Sequence, residues 1–197
     1  MIDIWQTAVK STSGNSMKPR HCRTNIIHYL EAISLIGFAL LLCGFFWQAP
    51  TWKSISETIA DQYPEVRYID PKTLLLQLQQ AKTDGHKPPL IIDVREAEEF
   101  AVSHLPGAIN LTDPTKVTAE ITQPIVVYCS VGIRSAAFAQ KLLQRGYQKV
   151  FNLPDSMFCW ANRDYPLLRD TVPVHVVHPY NQRWGKLLQE EHHSYHP

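Results

Sequence analysis

Two short runs of uninterrupted apolar residues, Leu90-Ile91-Ile92 and Ile125-Val126-Val127-Tyr128, limit the folds open to this chain more than any other feature. A strand with one wet face alternates apolar and polar residues. A run without alternation suits a strand covered on both faces, as in a parallel sheet between helices. The segments around the runs carry helical signals. Asp70 before Pro71 reads as an N-cap followed by the first helical position, and the helix it opens runs to Asp84-Gly85, where glycine can adopt the left-handed closing conformation. Residues 96–102 read as helical. Ser135–Gln144 places Ala136, Ala139, Leu142 and Leu143 on one face, and Gly146 closes it. Val66–Ile69 and Val150-Phe151 read as further strands, and Ser156–Asn162 as a last short helix. Strands alternating with helices predict an α/β domain with a central, largely parallel sheet and helices on both faces.

Composition narrows the function classes. The chain has 197 residues, 45% of them hydrophobic, enough for one domain with a buried core and some accessory segments. Collagen-like, low-complexity and largely disordered classes are excluded. Lys and Arg number 19 against 18 Asp and Glu, a formal net charge of +1 without a basic stripe, so nucleic acid is not an expected partner. A mean hydropathy of −0.19 excludes a polytopic membrane protein and leaves room for one anchor.

Ala32–Trp47 carries no charge, and extension back to Ile26 admits only His28 and Glu31. A spanning helix needs about 20 apolar residues, so residues 26–48 predict a transmembrane helix with an aromatic end, Phe45-Phe46-Trp47. The competing readings are a cleaved signal peptide and a buried helix of the domain. Residues 1–25 form a basic tail, with Lys10, Lys18, Arg20 and Arg23 against Asp3. The flank at 48–67 holds Lys53 and Arg67 against Glu57, Asp61 and Glu65. The positive-inside rule therefore predicts a single-pass protein with a cytoplasmic N-terminus and the larger part on the far side.

The four cysteines, Cys22, Cys43, Cys129 and Cys159, are scattered and form no C-x-x-C pair, so neither a zinc ribbon nor a disulfide scaffold is expected. Cys43 and Cys159 read as small buried hydrophobes. Cys129 differs because it ends the second apolar run. A loop follows, Ser130-Val131-Gly132-Ile133-Arg134-Ser135, and then a helix. Ligands of open α/β sheets bind at the carboxyl ends of strands. A helix N-terminus offers unpaired N–H groups and partial positive charge, which favour a thiolate and hold an anion. Gly132 permits the tight turn, and Arg134 adds a fork of donors. Two chemistries fit: sulfur transfer through a cysteine persulfide, and phosphoryl transfer through a cysteinyl phosphate. The cysteine phosphatases place Arg six positions after Cys, whereas Arg134 follows Cys129 by five. The shorter loop makes a smaller cradle, better matched to one added sulfur. Taken alone, Cys129 would read as a buried structural cysteine.

Two blocks then resemble the rhodanese-homology family, over roughly residues 65–170. Leu90-Ile-Ile-Asp-Val-Arg-Glu-Ala-Glu-Glu-Phe100, continuing to His104-Leu-Pro-Gly-Ala-Ile-Asn-Leu111, is similar to the family's I-D-V-R-x-x-x-E-F and H-I-P-G-A-x-N-I patterns. Val126-Val-Tyr-Cys-Ser-Val-Gly-Ile-Arg-Ser135, then Val150-Phe-Asn-Leu153 and Trp160 before Pro166-Leu167, is similar to the second block. The resemblance implies a three-layer rhodanese-like fold. It implies a sulfurtransferase that moves sulfane sulfur from thiosulfate or a related small anionic donor to a thiol or cyanide acceptor, through a Cys129 persulfide and without a cofactor or metal. Residues 130–135 would bind the substrate, with Arg134 attracting the anionic donor, and Asp93 and Arg95 would support the loops. Taken alone, Asp93 and Arg95 read as a surface ion pair. Non-catalytic members usually lose the loop cysteine, which this chain keeps.

Two departures stand out. Ser103 precedes the motif histidine where the family usually has glycine. Pro154-Asp155-Ser156 replaces the common Glu-Gly-Gly. The second motivates an alternative of another class, a tethered sulfur-binding or interaction module without turnover. The expected organisation is a basic tail (1–25), a membrane helix (26–48), a polar connector with room for one short helix (49–64), a rhodanese-like domain (65–170) and a C-terminal extension (171–197). In the extension, Val172–Val177 reads as a strand, Tyr180–Leu188 as a short amphipathic piece, and His192, His193 and His196 as a solvated end.

Overall fold

The computed structural model describes residues 49–85 and 87–197, and Ala49–Pro197 forms one compact unit. The apolar runs become adjacent parallel strands, β2 (Leu90–Asp93) and β4 (Ile125–Tyr128), with Leu90 opposite Ile125 and Asp93 opposite Tyr128. With β1 (Arg67–Tyr68), β3 (Ala108–Asn110) and β5 (Val150–Asn152) they make a five-stranded sheet of order β1-β5-β4-β2-β3, in which every pairing is parallel. Successive side chains of a strand point to opposite faces. Ile91, Val126 and Tyr128 enter one core with Leu74, Leu105, Met157 and Trp160. Ile92, Ile125, Val127 and Cys129 enter the other with Phe138, Ala139 and Leu142. Both faces are buried, which is why the runs need no polar alternation.

The helices follow the expected signals. Helix α2 (Pro71–Asp84) begins with the Asp70 side chain accepting from Thr73 N at 2.9 Å and ends at Gly85, φ +67°. Helices α3 (Ala97–Val102), α4 (Ile133–Gln144) and α5 (Ser156–Ala161) occupy the expected places, α4 starting two residues earlier than Ser135 because Gly132 makes the turn. This is an α/β fold with a parallel central sheet flanked by helices.

Two expectations are corrected. Residues 49–64 hold the one helix that a polar connector there allows, but that helix belongs to the core. Trp52–Gln62 forms α1, capped by Thr51, and its Ile55 and Ile59 are each 3% exposed within the core that holds Leu74 and Tyr128. Nor are His192 and His193 a solvated end. Strands β6 (Leu167–Arg169) and β7 (Val172–Val174) pair antiparallel, and Leu168 exchanges backbone hydrogen bonds with His104. Beyond them Val177 and Leu188 are buried. His192 Nδ1 lies 2.7 Å from the carbonyl of His175, and His193 Nε2 lies 3.1 Å from those of Gly185 and Leu188. These two histidines fasten the extension to itself, while His196 is exposed. The predicted membrane helix, residues 26–48, lies outside the described residues, as do Cys22 and Cys43. Among the described residues no helix is long and apolar enough to cross a membrane.

Because α1 adds core contacts, Ile59→Ala should lower unfolding stability by about 2–4 kcal/mol, whereas Glu57→Ala on its exposed face should change it by less than about 0.5 kcal/mol. Denaturant titration of the full chain checks both, and equal effects would mean that α1 is only a connector.

Candidate active site

Cys129 follows the last residue of β4, the strand between β5 and β2, and is 1% exposed. Gly132 at φ +102° turns the chain back so that its N–H donates to Cys129 Sγ at 3.1 Å. A Cβ at Gly132 would lie 3.3 Å from Ile59 Cδ1 in a backbone conformation that L residues rarely adopt, so glycine is required here. Ser135 Oγ sits 3.6 Å from Sγ, 3.1 Å from the Gly132 carbonyl and 2.7 Å from Asn152 Oδ1. The buried Asn152 of β5 also donates from Nδ2 to the Gly132 carbonyl at 3.0 Å. The first backbone bond of α4 joins Ala136 N to Gly132 O. The amides of Ile133, Arg134 and Ser135 therefore precede the helical ladder, the place where a helix offers donors to an anion.

Helix α5 holds the loop from behind. Ser156 Oγ accepts from Cys129 N at 3.2 Å and donates to Leu153 O at 2.9 Å, while Met157 N and Phe158 N each donate at 3.0 Å to the carbonyls of Cys129 and Ser130. This is the segment where Pro154-Asp155-Ser156 stands. Asp155 (φ +53°) and Ser156 (φ +47°) are both left-handed, the region that glycine occupies without strain. Ser156 compensates with its two hydrogen bonds. At Asp155 burial raises the carboxyl pKa, against a lowering influence from Arg163. The Ser103 departure has no such consequence, since its φ of −171° is extended backbone that any residue adopts.

Arg134 is engaged rather than free. Its Nη1 and Nη2 reach Glu99 at 2.8 and 2.9 Å, Nη2 donates to Ser130 Oγ at 2.9 Å, and the guanidinium lies 5.0 Å above the Tyr180 ring. Burial would raise the Glu99 pKa, but the Arg134 hydrogen bonds and charge, with Arg95 further off, hold it below the usual carboxylate range. Burial opposes the Arg134 charge as well, and the Glu99 bonds overcome it, so its pKa is raised. The expected anion-attracting charge is thus paired with a carboxylate 3% exposed. Asp93 and Arg95 form a pair 0% exposed at both ends, not a surface pair. Arg95 Nη2 bridges Asp93 at 2.6 Å and the Ser103 carbonyl at 2.7 Å, and Asn110 Nδ2 bonds the carbonyls of both Asp93 and Arg95. This pair ties β2 to the turn before His104, beside β4.

Cys129, Ser130, Val131, Ile133 and Arg134 line one cavity of about 160 Å³, while Gly132 and Ser135 touch the sulfur from beneath it. Tyr180 and Trp184 of the extension complete its wall. The amphipathic pattern of Tyr180–Leu188 marked those two as a packing surface but not as part of the site, and nothing marked Glu99 as a site residue, although it stands in the first family block. A larger cavity, about 780 Å³, lies at the amino ends of the strands among Pro89, Pro124, Lys149 and the Thr73–Gln80 face of α2, away from the thiol. Cys159 is partly exposed, and burial pushes its thiol pKa up. Among the described residues no group of three or more His, Cys, Asp and Glu side chains could hold a metal.

Residues 71–163 match the family model described as Rhodanese-like domain. Strands β2 to β5 and the Cys129 loop lie within the matched segment, and β1 lies just before it. A rhodanese-related protein from Thermoplasma volcanium is similar at 22% identity over 52% of this chain and 98% of its own, with a TM-score of 0.44. A rhodanese-like domain protein from Staphylococcus aureus shows 26% identity over 48% of this chain and 91% of its own, TM-score 0.43. A thiosulfate sulfurtransferase from Pseudomonas aeruginosa shows 19% identity over 61% of this chain and 23% of its own, TM-score 0.48.

The raised Asp155 pKa gives a signed expectation. Its ionised form is disfavoured in the fold, so stability from the neutral carboxyl is full at low pH and lost as pH rises through the folded pKa. Asp155→Asn, which tolerates the left-handed backbone, should be more stable than the parent at pH 7 by less than about 1 kcal/mol, and this advantage should shrink as pH falls to about 4. Denaturant titrations at several pH values read the difference; an advantage that grows on acidification contradicts the assignment.

Proposed function

We propose that the protein is a sulfurtransferase that carries sulfane sulfur as a Cys129 persulfide, taking it from thiosulfate or a related donor and passing it to a thiophilic acceptor. One observation carries the reading: Cys129 Sγ lies at the carboxyl end of a central parallel strand and accepts from Gly132 N at 3.1 Å, at the mouth of a helix. A thiolate there attacks the outer sulfur of the donor and expels sulfite or another leaving group. The terminal persulfide sulfur extends toward the amides of residues 130–134, which solvate its charge in place of water. Glu99 and Ser130 hold Arg134 at the rim, and Asp93 with Arg95 fixes the adjoining turn. The apolar run Ala32–Trp47 supports a tether for this domain, with the N-terminus cytoplasmic and the domain across the membrane.

A second reading, a sulfur-binding module without turnover, draws support from the deep burial of Cys129 and from the engagement of Arg134 by Glu99. The first reading requires both the persulfide and its release, a sulfur-binding module requires the persulfide alone, and an interaction module requires neither. The full chain treated with thiosulfate should gain about 32 Da, one sulfur atom, and lose it again to cyanide with repeated formation of thiocyanate, neither occurring in Cys129→Ser. An adduct without repeated turnover selects the module. No adduct on a reduced thiol removes the sulfurtransferase and leaves an interaction module.

A further inference from the structure

The cavity over Cys129 is closed by residues outside the matched family segment, and they decide what can fill it. Its walls are Val131, Ile133, Tyr180 and Trp184. The one charged side chain lining it, among the described residues, is Arg134, whose two terminal nitrogens both face Glu99. The aromatic wall is built rather than incidental. Tyr180 N donates to His178 Nδ1 at 3.1 Å, and the tyrosine ring lies against the Arg134 guanidinium. Trp184 N donates to Asn181 Oδ1 at 3.1 Å, and its ring packs on the core. Burial holds the His178 pKa below its ordinary value, despite the nearby Glu99 charge.

During transfer the outer sulfur of a donor must meet Cys129 Sγ, so the rest of the donor fills this cavity. The sulfite part of thiosulfate would lose hydration there against apolar walls and an already paired cation, an unfavourable exchange. A flat apolar group gains from the same walls by burial and ring stacking. We propose that the Tyr180–Trp184 wall makes Cys129 select sulfane donors whose leaving group is a flat, apolar organic residue over inorganic thiosulfate; this rests on the persulfide reading above.

An organic thiosulfonate illustrates the step. The Cys129 thiolate forms a bond to the outer sulfur, and the bond from that sulfur to the sulfonyl sulfur breaks. The electron pair leaves with the organic sulfinate, and no proton moves. Cyanide then takes the terminal sulfur as thiocyanate and restores the thiolate.

The test measures thiocyanate production by the full chain with benzenethiosulfonate, methanethiosulfonate and thiosulfate. Each kcat/KM is divided by that donor's rate with a free small thiolate, which removes leaving-group reactivity. The first two donors carry equal charge and differ in the ring. The normalised value for benzenethiosulfonate should exceed that for methanethiosulfonate by about tenfold, and that for thiosulfate by more. Trp184→Ala should bring the benzene-to-methane ratio to within about twofold of one, and Tyr180→Phe should preserve it. A loosened extension would slow both donors alike and leave their ratio, so the ratio reads the wall and not folding. Equal normalised rates in the parent, thiosulfate as the preferred donor, or a ratio that survives Trp184→Ala would each overturn the inference while leaving the persulfide intact. Failure of every donor to load Cys129 would overturn the persulfide reading and the inference with it.

Discussion

The hydrogen bond from Gly132 N to Cys129 Sγ is the constraint around which the site is arranged. It exists because Gly132 holds φ +102° against the tip of Ile59, with Asn152 fixing its carbonyl and Ser135 standing beside the sulfur. Each partner comes from a different layer: α1, β5 and α4. The thiol is therefore positioned by the whole sheet-and-helix sandwich and not by its loop alone. A parallel sheet buried on both faces is the condition for this, since it places the end of β4 between two neighbouring strands and directly under a helix start.

Two buried carboxylates near the loop are each paired with an arginine. Asp93 with Arg95 and Glu99 with Arg134 each satisfy a group that would be costly alone in that environment. The second pair matters for chemistry, because it turns a guanidinium at the cavity rim from an anion trap into a scaffold that holds Ser130 and supports the Tyr180 ring. The strained Asp155-Ser156 pair belongs to the same economy of positions: Ser156 keeps a left-handed backbone because its hydroxyl bonds the Cys129 amide and the Leu153 carbonyl.

Much of this was legible in the chain itself, and the reasons are local. Leu90–Ile92 and Ile125–Tyr128 announce strands by their unbroken apolarity. Asp70-Pro71 and Gly85 announce the ends of α2 by backbone chemistry. Cys129 stands out because strand end, glycine turn and helix start follow one another in sequence. What was not legible depends on distance along the chain. Nothing near Arg134 names Glu99, 35 residues earlier, as its partner. Ile55 and Ile59 lie in an otherwise polar segment that reads as a linker until the core receives them. His192 and His193 look like a free end because their acceptors are carbonyls, which no side-chain pattern reveals. Tyr180 and Trp184 reach the thiol only after the chain has passed through the β6–β7 hairpin.

Sulfur transfer by this site requires that sulfur be held on Cys129 inside the donors of its own loop. A high-resolution crystal structure of the full chain after exposure to a sulfane donor tests this directly. One extra sulfur should be bonded to Cys129 Sγ, within hydrogen-bonding reach of amides from residues 130–134 and under the Tyr180 and Trp184 rings. An unmodified Cys129 in a donor-treated, mass-shifted protein, with the added sulfur found on Cys159 or elsewhere, would contradict it.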